Sequence, residues 1–253
     1  MRSAPTARSA FCYTRPNMII FYIIAIIVVF LGVVIGLPGG VHINPVLLHF
    51  YEPHMVLLLT TFLLTMTATC SIIIFWKHIR WNDAVRLALY GIAAGILGGY
   101  LIAIIPSKVV VALFFVSGGL FLWSHYKKKT DRVQKYGLFF SGFCVSFMQA
   151  FGISAGTLRR AYLRSRGYDF EEIYGTISLG YAATGISILA TRMRHEDIPL
   201  SITYQIIILF PVVFLTIWLG KKTIRHIPKN IQDAIVIYSL ILSLLLAVPY
   251  LLK

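Results

Sequence analysis

The chain has 253 residues, of which 58% are apolar and 13% are charged, and its formal net charge is +14. Soluble domains average about 25% charged residues, so this composition excludes an ordinary soluble protein. The positive charge does not indicate nucleic-acid binding, because Lys and Arg cluster in short stretches between apolar runs, where they orient membrane proteins and contact lipid headgroups.

Eight apolar segments follow one another along the chain, and most reach the roughly 20 residues that a helix needs to cross the hydrocarbon core of a bilayer. They cover residues 18–37, 55–76, 84–105, 108–124, 136–153, 171–191, 200–219 and 231–252. The pattern predicts an all-α integral membrane protein with several passes and no room for a soluble domain. Residues 1–17 form a basic N-terminal extension without a convincing cleavage site, so we expect it to be retained, with Met18 as an alternative start.

A glycine-rich break occurs twice, each time at the end of an apolar segment. Residues 36–47 read GLPGGVHINPVL and residues 152–163 read GISAGTLRRAYL, and the match continues downstream, where Thr60 stands opposite Thr176 and Gly98 opposite Gly220. The chain is therefore predicted to contain two homologous four-segment repeats whose first and fifth segments are broken at the glycine motifs. Their boundaries are 18–126 for repeat 1, 127–135 for a basic connecting loop and 136–253 for repeat 2.

The distribution of Lys and Arg discriminates between a parallel and an inverted arrangement of the repeats. If all eight segments cross the membrane, the positive charges are only weakly biased to one side. If the first and fifth segments turn back at their breaks, the Lys and Arg residues after Met18 fall inside, except for Lys108, Arg192, Arg194 and Lys253. The positive-inside rule favours this inverted arrangement. The first segment is long enough to span alone, which keeps the parallel arrangement open.

The two glycine breaks are the best candidates for a binding site. A break inside the bilayer frees backbone N–H and C=O groups, which are tolerated there only when protein buries them or when they line a wet cavity. A helix that begins after the break presents unpaired N–H donors and partial positive charge, which suit an anion. For a single motif, close helix packing at glycine is the alternative. The candidate substrate-binding residues are Gly36, Gly39, Gly40, His42, Asn44, Thr60, Gly152, Ser154, Gly156, Thr157, Arg159, Arg160 and Thr176.

The arginines and threonines in this set have competing interpretations. An Arg fork at Arg159 or Arg160 suits the paired oxygens of a sulfonate, sulfite, phosphate or carboxylate, whereas the same residues could simply mark a cytoplasmic loop. Thr60 and Thr176 occupy matching positions, where a hydroxyl either contacts a ligand or bonds an earlier carbonyl of its own helix.

The remaining polar residues indicate neither a metal nor a cofactor. None of the nine acidic residues lies in the middle of a predicted segment, where carriers of protons or cations usually place an ionisable group, so an anionic substrate is favoured. Three histidines lack the i, i+4 spacing of a helix-borne zinc site, which makes a metal the weaker alternative: His42, His49 and His54. The three cysteines have no CxxC spacing and are interpreted as small core residues: Cys12, Cys70 and Cys144.

The sequence GLPGGVHINPVLL resembles the glycine- and proline-containing signature of the TauE/SafE sulfite exporter family, also called the 4-toluene sulfonate uptake permease family. The Thr60 segment, the stretch LGGYLIAIIPSK and the weaker second copy also resemble its layout, over about residues 18–252. The chain departs from the pattern at Pro38, at the SAG of the second copy, at Ala161 opposite Pro45, and at the Arg159–Arg160 pair. The resemblance implies a multi-pass plasma-membrane protein with two homologous halves that moves small sulfur-containing anions.

From these features we expect a secondary transporter, not an enzyme, that carries a small anion of the sulfite or sulfonate class by alternating access between two repeats. Its expected partners are the anionic substrate and the lipid bilayer, without nucleic acid, cofactor or metal, and a homo-oligomer is left open. The first alternative is a membrane-embedded enzyme acting on a lipid phosphate, which would need converging carboxylates, a metal cluster or a nucleophile–base pair. The second is a non-transporting membrane assembly subunit.

Overall fold

The computed structural model describes residues 18–35, 40–113, 137–152, 156–195 and 206–224, together with the single positions 116, 204 and 238, and every element in them is helical. The helices are α1 (Met18–Ile35), α2 (Gly40–Leu47), α3 (Pro53–Ile74), α4 (Trp81–Ile104), α5 (107–113), α6 (Val145–Ala150), α7 (Gly156–Ser165), α8 (Phe170–His195) and α9 (Phe210–Ile224). A 3-10 turn over Trp76–His78 precedes α4, and a π-helical turn over Phe140–Cys144 leads into α6. The all-α fold class is confirmed for this part of the chain.

Four helices are long and apolar enough to cross a membrane. They are Pro53–Ile74, Trp81–Ile104, Phe170–His195 and Ile206–Thr223, and each overlaps one of the predicted segments. The fourth and eighth predicted segments, the extension 1–17 and the connecting loop 127–135 lie wholly or largely outside the described residues. The eight-segment, two-repeat architecture and its boundaries therefore stay predictions.

Helix α4 separates its large and small residues onto two faces. Its exposed face carries bulky apolar side chains such as Leu89, Ile92 and Ile96, as a helix in contact with hydrocarbon requires. Its buried face carries glycines at every fourth position: Gly91, Gly95 and Gly99. A Cβ added at Gly95 would lie 2.7 Å from the Thr184 carbonyl oxygen of α8. Glycine at these positions lets the two backbones approach closely.

The contacts along this glycine face show that α4 and α8 run in the same direction. Gly91 faces Thr184, whereas the later Gly99 faces the later Thr191. Helix α3 runs the opposite way, because Gly175 near the start of α8 lies against Phe75 at the end of α3. At the far end of α8, the Arg192 Nη2 donates to the His54 carbonyl near the start of α3, at 3.2 Å.

These directions define two ends of the helical bundle. The basic end contains residues 74–83, 166–172 and 221–222, where the Lys221 Nζ lies 3.5 Å from the Ile74 carbonyl oxygen at the end of α3. The opposite end contains residues 52–54, 100–108 and 192–195, where the rings of Tyr100 and His195 meet edge to face. Ion pairs at the basic end join His78 and Lys221 to Glu171, Arg80 to Glu172, and Arg166 to Asp83.

Helices α1 and α2 form a first hairpin that enters and leaves at the opposite end. Near its entry, a hydrogen bond joins the Phe21 backbone to the side chain of Tyr51, next to the start of α3. Further along, the Tyr174 hydroxyl near the start of α8 donates to the Gly32 carbonyl at 3.0 Å. Helix α1 therefore approaches the basic end, and α2 brings the chain back to Pro53, where α3 begins.

The π-helical turn, α6 and α7 form a second hairpin that enters and leaves at the basic end. A Cβ at Gly142 would lie 2.7 Å from the Tyr90 ring in the first half of α4, whereas Ala150 lies against Gly98, in its last third. The chain turns at Gly152, and α7 returns it to the basic end, where Arg166 pairs with Asp83. The two hairpins thus enter from opposite ends, which is the placement that the inverted arrangement requires.

Gly98 and Gly220, which the sequence comparison places opposite one another, make matching contacts. Gly98 of α4 packs against Ala150 of α6, on the first arm of the second hairpin. Gly220 of α9 packs against Val33 of α1, on the first arm of the first hairpin. A Cβ added at Gly220 would lie 2.8 Å from the Val33 side chain. Each of these glycines thus packs against a hairpin from the other half of the chain.

The basic end is held together by charged side chains. Asp83 is buried and accepts hydrogen bonds from Arg166 and from the Tyr168 hydroxyl. Burial raises the pKa of the Tyr168 hydroxyl, and its hydrogen bond to the Asp83 carboxylate raises that pKa further. Arg80 pairs with Glu172 across the same surface. Because Asp83 and Arg80 precede residue 126 and their partners follow it, these pairs join the two predicted repeats.

We expect Gly95→Ala to destabilise the protein, because the new methyl group would meet a backbone carbonyl that cannot move without displacing α8. Overpacking of this kind costs about 1–3 kcal/mol. The measurement is the thermal unfolding midpoint of the purified protein in detergent. Gly137→Ala is the control, since no atom lies within 4 Å of a Cβ at that position. Equal midpoints for the two variants would contradict the close α4–α8 packing.

We expect the two ends of α4 to be reachable from opposite sides of the membrane. Lys77 at the basic end and Lys108 at the opposite end are both exposed, so each tolerates replacement by Cys. In a chain whose native cysteines are replaced by Ser, Lys108→Cys should react with an impermeant thiol reagent in intact cells. Lys77→Cys should react only after the membrane is opened, because basic loops stay inside. Labelling of both variants from one side would contradict this orientation.

Candidate functional site

The returning arm of the first hairpin meets the turn of the second hairpin at Asn44 and Gly152. The Asn44 Nδ2 donates to the Gly152 carbonyl at 3.2 Å, and the Asn44 Oδ1 accepts a hydrogen bond of 2.6 Å from the Thr60 hydroxyl. Both Asn44 and Thr60 are buried. A single amide therefore joins the first hairpin, the second hairpin and α3, and all three residues belong to the predicted set.

Both hairpins place a helix N-terminus near this junction. Gly152 has a φ of 72°, in the left-handed region that glycine adopts readily, and α7 begins four residues later at Gly156. Helix α2 begins at Gly40, one turn before Asn44. Each helix runs away from the junction toward a different end of the bundle. The unpaired N–H groups and partial positive charge of both N-termini consequently lie inside the protein.

Arg159 is fully buried in the second hairpin, which excludes its interpretation as a loop residue. Its Nε donates to the Ser141 carbonyl at 3.1 Å, and its Nη2 donates to the Gly142 carbonyl at 3.2 Å and to the Ser146 hydroxyl at 2.8 Å. The two carbonyls belong to the π-helical turn, a distortion that occurs frequently at functional sites. No described carboxylate forms an ion pair with this guanidinium.

One nitrogen of the Arg159 guanidinium has no partner among the described residues. This nitrogen, Nη1, is buried and points toward Gly180, where an added Cβ would lie 3.4 Å away. The guanidinium carbon lies over the Tyr181 ring, 4.7 Å from its centroid. A buried cation without a paired carboxylate is costly unless another group compensates its charge, so this arrangement favours an anionic ligand.

Arg160 lies on the neighbouring side of α7 and is half-buried. Its guanidinium carbon lies 5.5 Å from the Tyr174 ring centroid and 5.8 Å from that of Phe170. Since the Tyr174 hydroxyl donates to Gly32 of the first hairpin, Arg160 is placed beside a contact between α8 and the first hairpin. Thr176 is buried but lies apart from this group, where its Oγ1 accepts a hydrogen bond from the Arg80 N–H at 3.1 Å.

The structure brings only part of the predicted set together. Asn44, Thr60 and Gly152 touch one another, and Gly156 and Arg159 follow on the same hairpin, whereas Thr176 belongs to the basic end. Gly40, His42 and Thr157 lie in the first turns of α2 and α7, but their side-chain surroundings are outside the described residues. Gly36, Gly39 and Ser154 are outside them altogether.

Three polar residues near Arg159 are absent from the predicted set: Ser146, Tyr181 and Thr184. Ser146 and Thr184 are buried and share a hydrogen bond of 2.9 Å, and Thr184 also donates to the Gly180 carbonyl at 2.7 Å. The signal that could have found them is a polar residue in the middle of an apolar segment, which is costly in a membrane unless it has a partner. Within the described residues, no group of three His, Cys, Asp or Glu side chains could hold a metal ion.

Membrane-length helices and two hairpins that enter from opposite ends define the class of the protein, a multi-pass membrane protein with a polar interior. The chain belongs to the TauE/SafE sulfite exporter family, because the family model described as "Sulfite exporter TauE/SafE" matches residues 21–247. It is therefore a membrane transporter by family, and the expected family resemblance is confirmed. No curated protein and no solved structure matched the chain in the corresponding searches.

We expect Asn44→Ala to lower stability more than a matched surface replacement. The change leaves the Thr60 hydroxyl without its acceptor and the Gly152 carbonyl without its donor, and each stranded buried group costs about 1–3 kcal/mol. The comparison is Asn82→Ala, because Asn82 is exposed at the start of α4. Thermal unfolding of the two purified variants checks the expectation. A midpoint for Asn44→Ala at or above that of Asn82→Ala would mean that this amide does not hold the hairpins together.

Proposed function

We propose that the protein carries a small sulfur oxyanion or organosulfonate across the plasma membrane. The observation that carries the proposal is the meeting of two hairpins from opposite ends, one of which holds the buried guanidinium of Arg159. A buried cation then lies inside the helical bundle, where a transporter places its substrate. Membership in the TauE/SafE family favours a sulfur compound over other anions with the same charge.

The proposed mechanism is alternating access between the two halves. At the basic end, ion pairs link the halves: Asp83 with Arg166, Arg80 with Glu172, and His78 with Glu171. Arg80 and His78 are substantially exposed, and surface ion pairs such as Arg80–Glu172 and His78–Glu171 typically contribute about 0–1 kcal/mol. Such pairs can separate and re-form at little cost, which suits a closure that opens during each transport cycle.

At the opposite end, a hydrogen bond and a ring contact join the halves. Arg192 donates to the His54 carbonyl, and Tyr100 packs against His195. A rocking movement that separates the ion pairs of the basic end would leave the opposite end closed, and the reverse movement would open the opposite end. The site near Arg159 would then face one side of the membrane at a time.

Transport by purified protein in liposomes tests this function. We expect the wild type to equilibrate labelled sulfite or methanesulfonate across the liposome membrane. Arg159→Gln should reduce the flux by about tenfold or more, because a hydrogen bond from a charged group contributes roughly 1.5–3 kcal/mol. Arg164→Gln, an exposed arginine on the same helix, is the matched control and should retain wild-type flux.

Two results would contradict the proposal. Absence of flux for every tested sulfur anion in the wild type would remove the transport function. Equal flux in Arg159→Gln and Arg164→Gln would remove Arg159 from the substrate path.

A further inference from the structure

We propose that Tyr181 and Arg159 together form the anion-binding contact, and that its ligand is an oxyanion that offers one oxygen to each. This inference rests on the proposed transport function and specifies the donors that hold the substrate. It assigns a role to Tyr181, which lies on α8, outside both glycine motifs.

The first argument is that two buried polar atoms on adjoining side chains lack partners among the described residues. They are the Arg159 Nη1 and the Tyr181 hydroxyl oxygen. The guanidinium lies over the Tyr181 ring, so the two groups occupy one small region between α7 and α8. Buried polar groups normally find a hydrogen-bond partner, and two neighbouring exceptions indicate a place where a ligand supplies it.

The second argument concerns the way in which the guanidinium is fixed. Its Nε and Nη2 are held by the carbonyls of Ser141 and Gly142 and by the Ser146 hydroxyl. The hydroxyl of Ser146 is in turn bonded to Thr184 of α8. One edge of the guanidinium is thus anchored in the second hairpin, which leaves Nη1 pre-oriented without further loss of side-chain freedom.

The third argument concerns charge and donor chemistry. A guanidinium N–H can only donate, and a tyrosine hydroxyl can donate to an anion, so both groups match a ligand that offers acceptors alone. A sulfonate or sulfite has several acceptor oxygens on one central atom and can meet both donors at once. A cationic ligand would be repelled by Arg159 and by Arg160 on the next position of α7.

Gly180 lets the α8 backbone approach the Arg159 guanidinium closely. It precedes Tyr181 on α8, and an added Cβ there would lie 3.4 Å from the Arg159 Nη1 and 3.2 Å from the Leu87 side chain. The lack of a side chain at this position leaves Nη1 facing the α8 backbone next to the Tyr181 ring, so the two unpartnered groups stay adjacent.

Binding to the purified full-length protein tests the proposal, with sulfite and methanesulfonate as probes in separate calorimetric titrations. Tyr181→Phe removes the hydroxyl and keeps the ring beneath Arg159, so the fold should persist, as checked by the unfolding midpoint. We expect Tyr181→Phe to bind both probes about tenfold more weakly than the wild type, since one hydrogen bond from the bound anion is lost. Tyr204→Phe is the control and should bind like the wild type, because Tyr204 is 64% exposed.

A second variant keeps the test decisive if Tyr181→Phe proves unstable. Arg159→Lys retains the positive charge but lacks the planar guanidinium, whose Nε and Nη2 are anchored while Nη1 is available to a ligand. We expect its affinity for sulfite and methanesulfonate to fall by at least about tenfold. Wild-type affinity in a folded Tyr181→Phe or Arg159→Lys variant would overturn the proposal.

The same proteins in liposomes separate the failure of this inference from the failure of the proposed function. Wild-type flux in Tyr181→Phe would overturn the role of Tyr181 and leave anion transport standing. Binding that depends on Tyr181, without flux in the wild type, would support the site and overturn transport. Neither binding nor flux of either probe by the wild type would overturn both.

Discussion

The bilayer offers no hydrogen-bonding partner to a peptide group, and this constraint governs the arrangement of the two hairpins. A chain that turns inside the membrane must satisfy or shield its freed N–H and C=O groups with protein. The protein meets this requirement with side-chain donors. Asn44 donates to the Gly152 carbonyl, and Arg159 donates to two carbonyls of the π-helical turn. The unpaired N–H groups at the N-termini of α2 and α7 face the interior of the protein. Their partial positive charge can attract an anion.

Sequence reasoning anticipated the helical class and the family, and it identified residues on both sides of the hairpin junction. Apolar runs and glycine breaks report local chain behaviour, and Asn44 and Gly152 were predicted because each lies within such a break. The involvement of Tyr181, Ser146 and Thr184 depends on the packing of α6 and α7 against α8. A contact between residues 146 and 184 has no local pattern, so periodicity and motif spacing could not reveal it.

The two glycine breaks, which the sequence predicts to be equivalent, differ in the charge of their side chains. Arg159 corresponds to Ile43 in the first motif, and Arg160 corresponds to Asn44. Ile43 is buried in the hydrophobic core and Asn44 joins the hairpins, whereas the second motif carries both positive charges. At these aligned positions, the positive charge therefore comes from the second hairpin alone. An anion bound between the hairpins would therefore lie closer to the second hairpin than to the first.

The glycine face of α4 has a mechanical consequence. It joins the first half of the chain to α8 of the second half with almost no side-chain thickness between the backbones. If α8 slid along α4, Thr184 and Thr191 would collide with neighbouring turns of α4. A small rotation of the two halves about the α4–α8 contact would leave the close contacts largely in place. The α4–α8 line is therefore a natural pivot, and the outer helices would travel farthest during any reorientation of the halves.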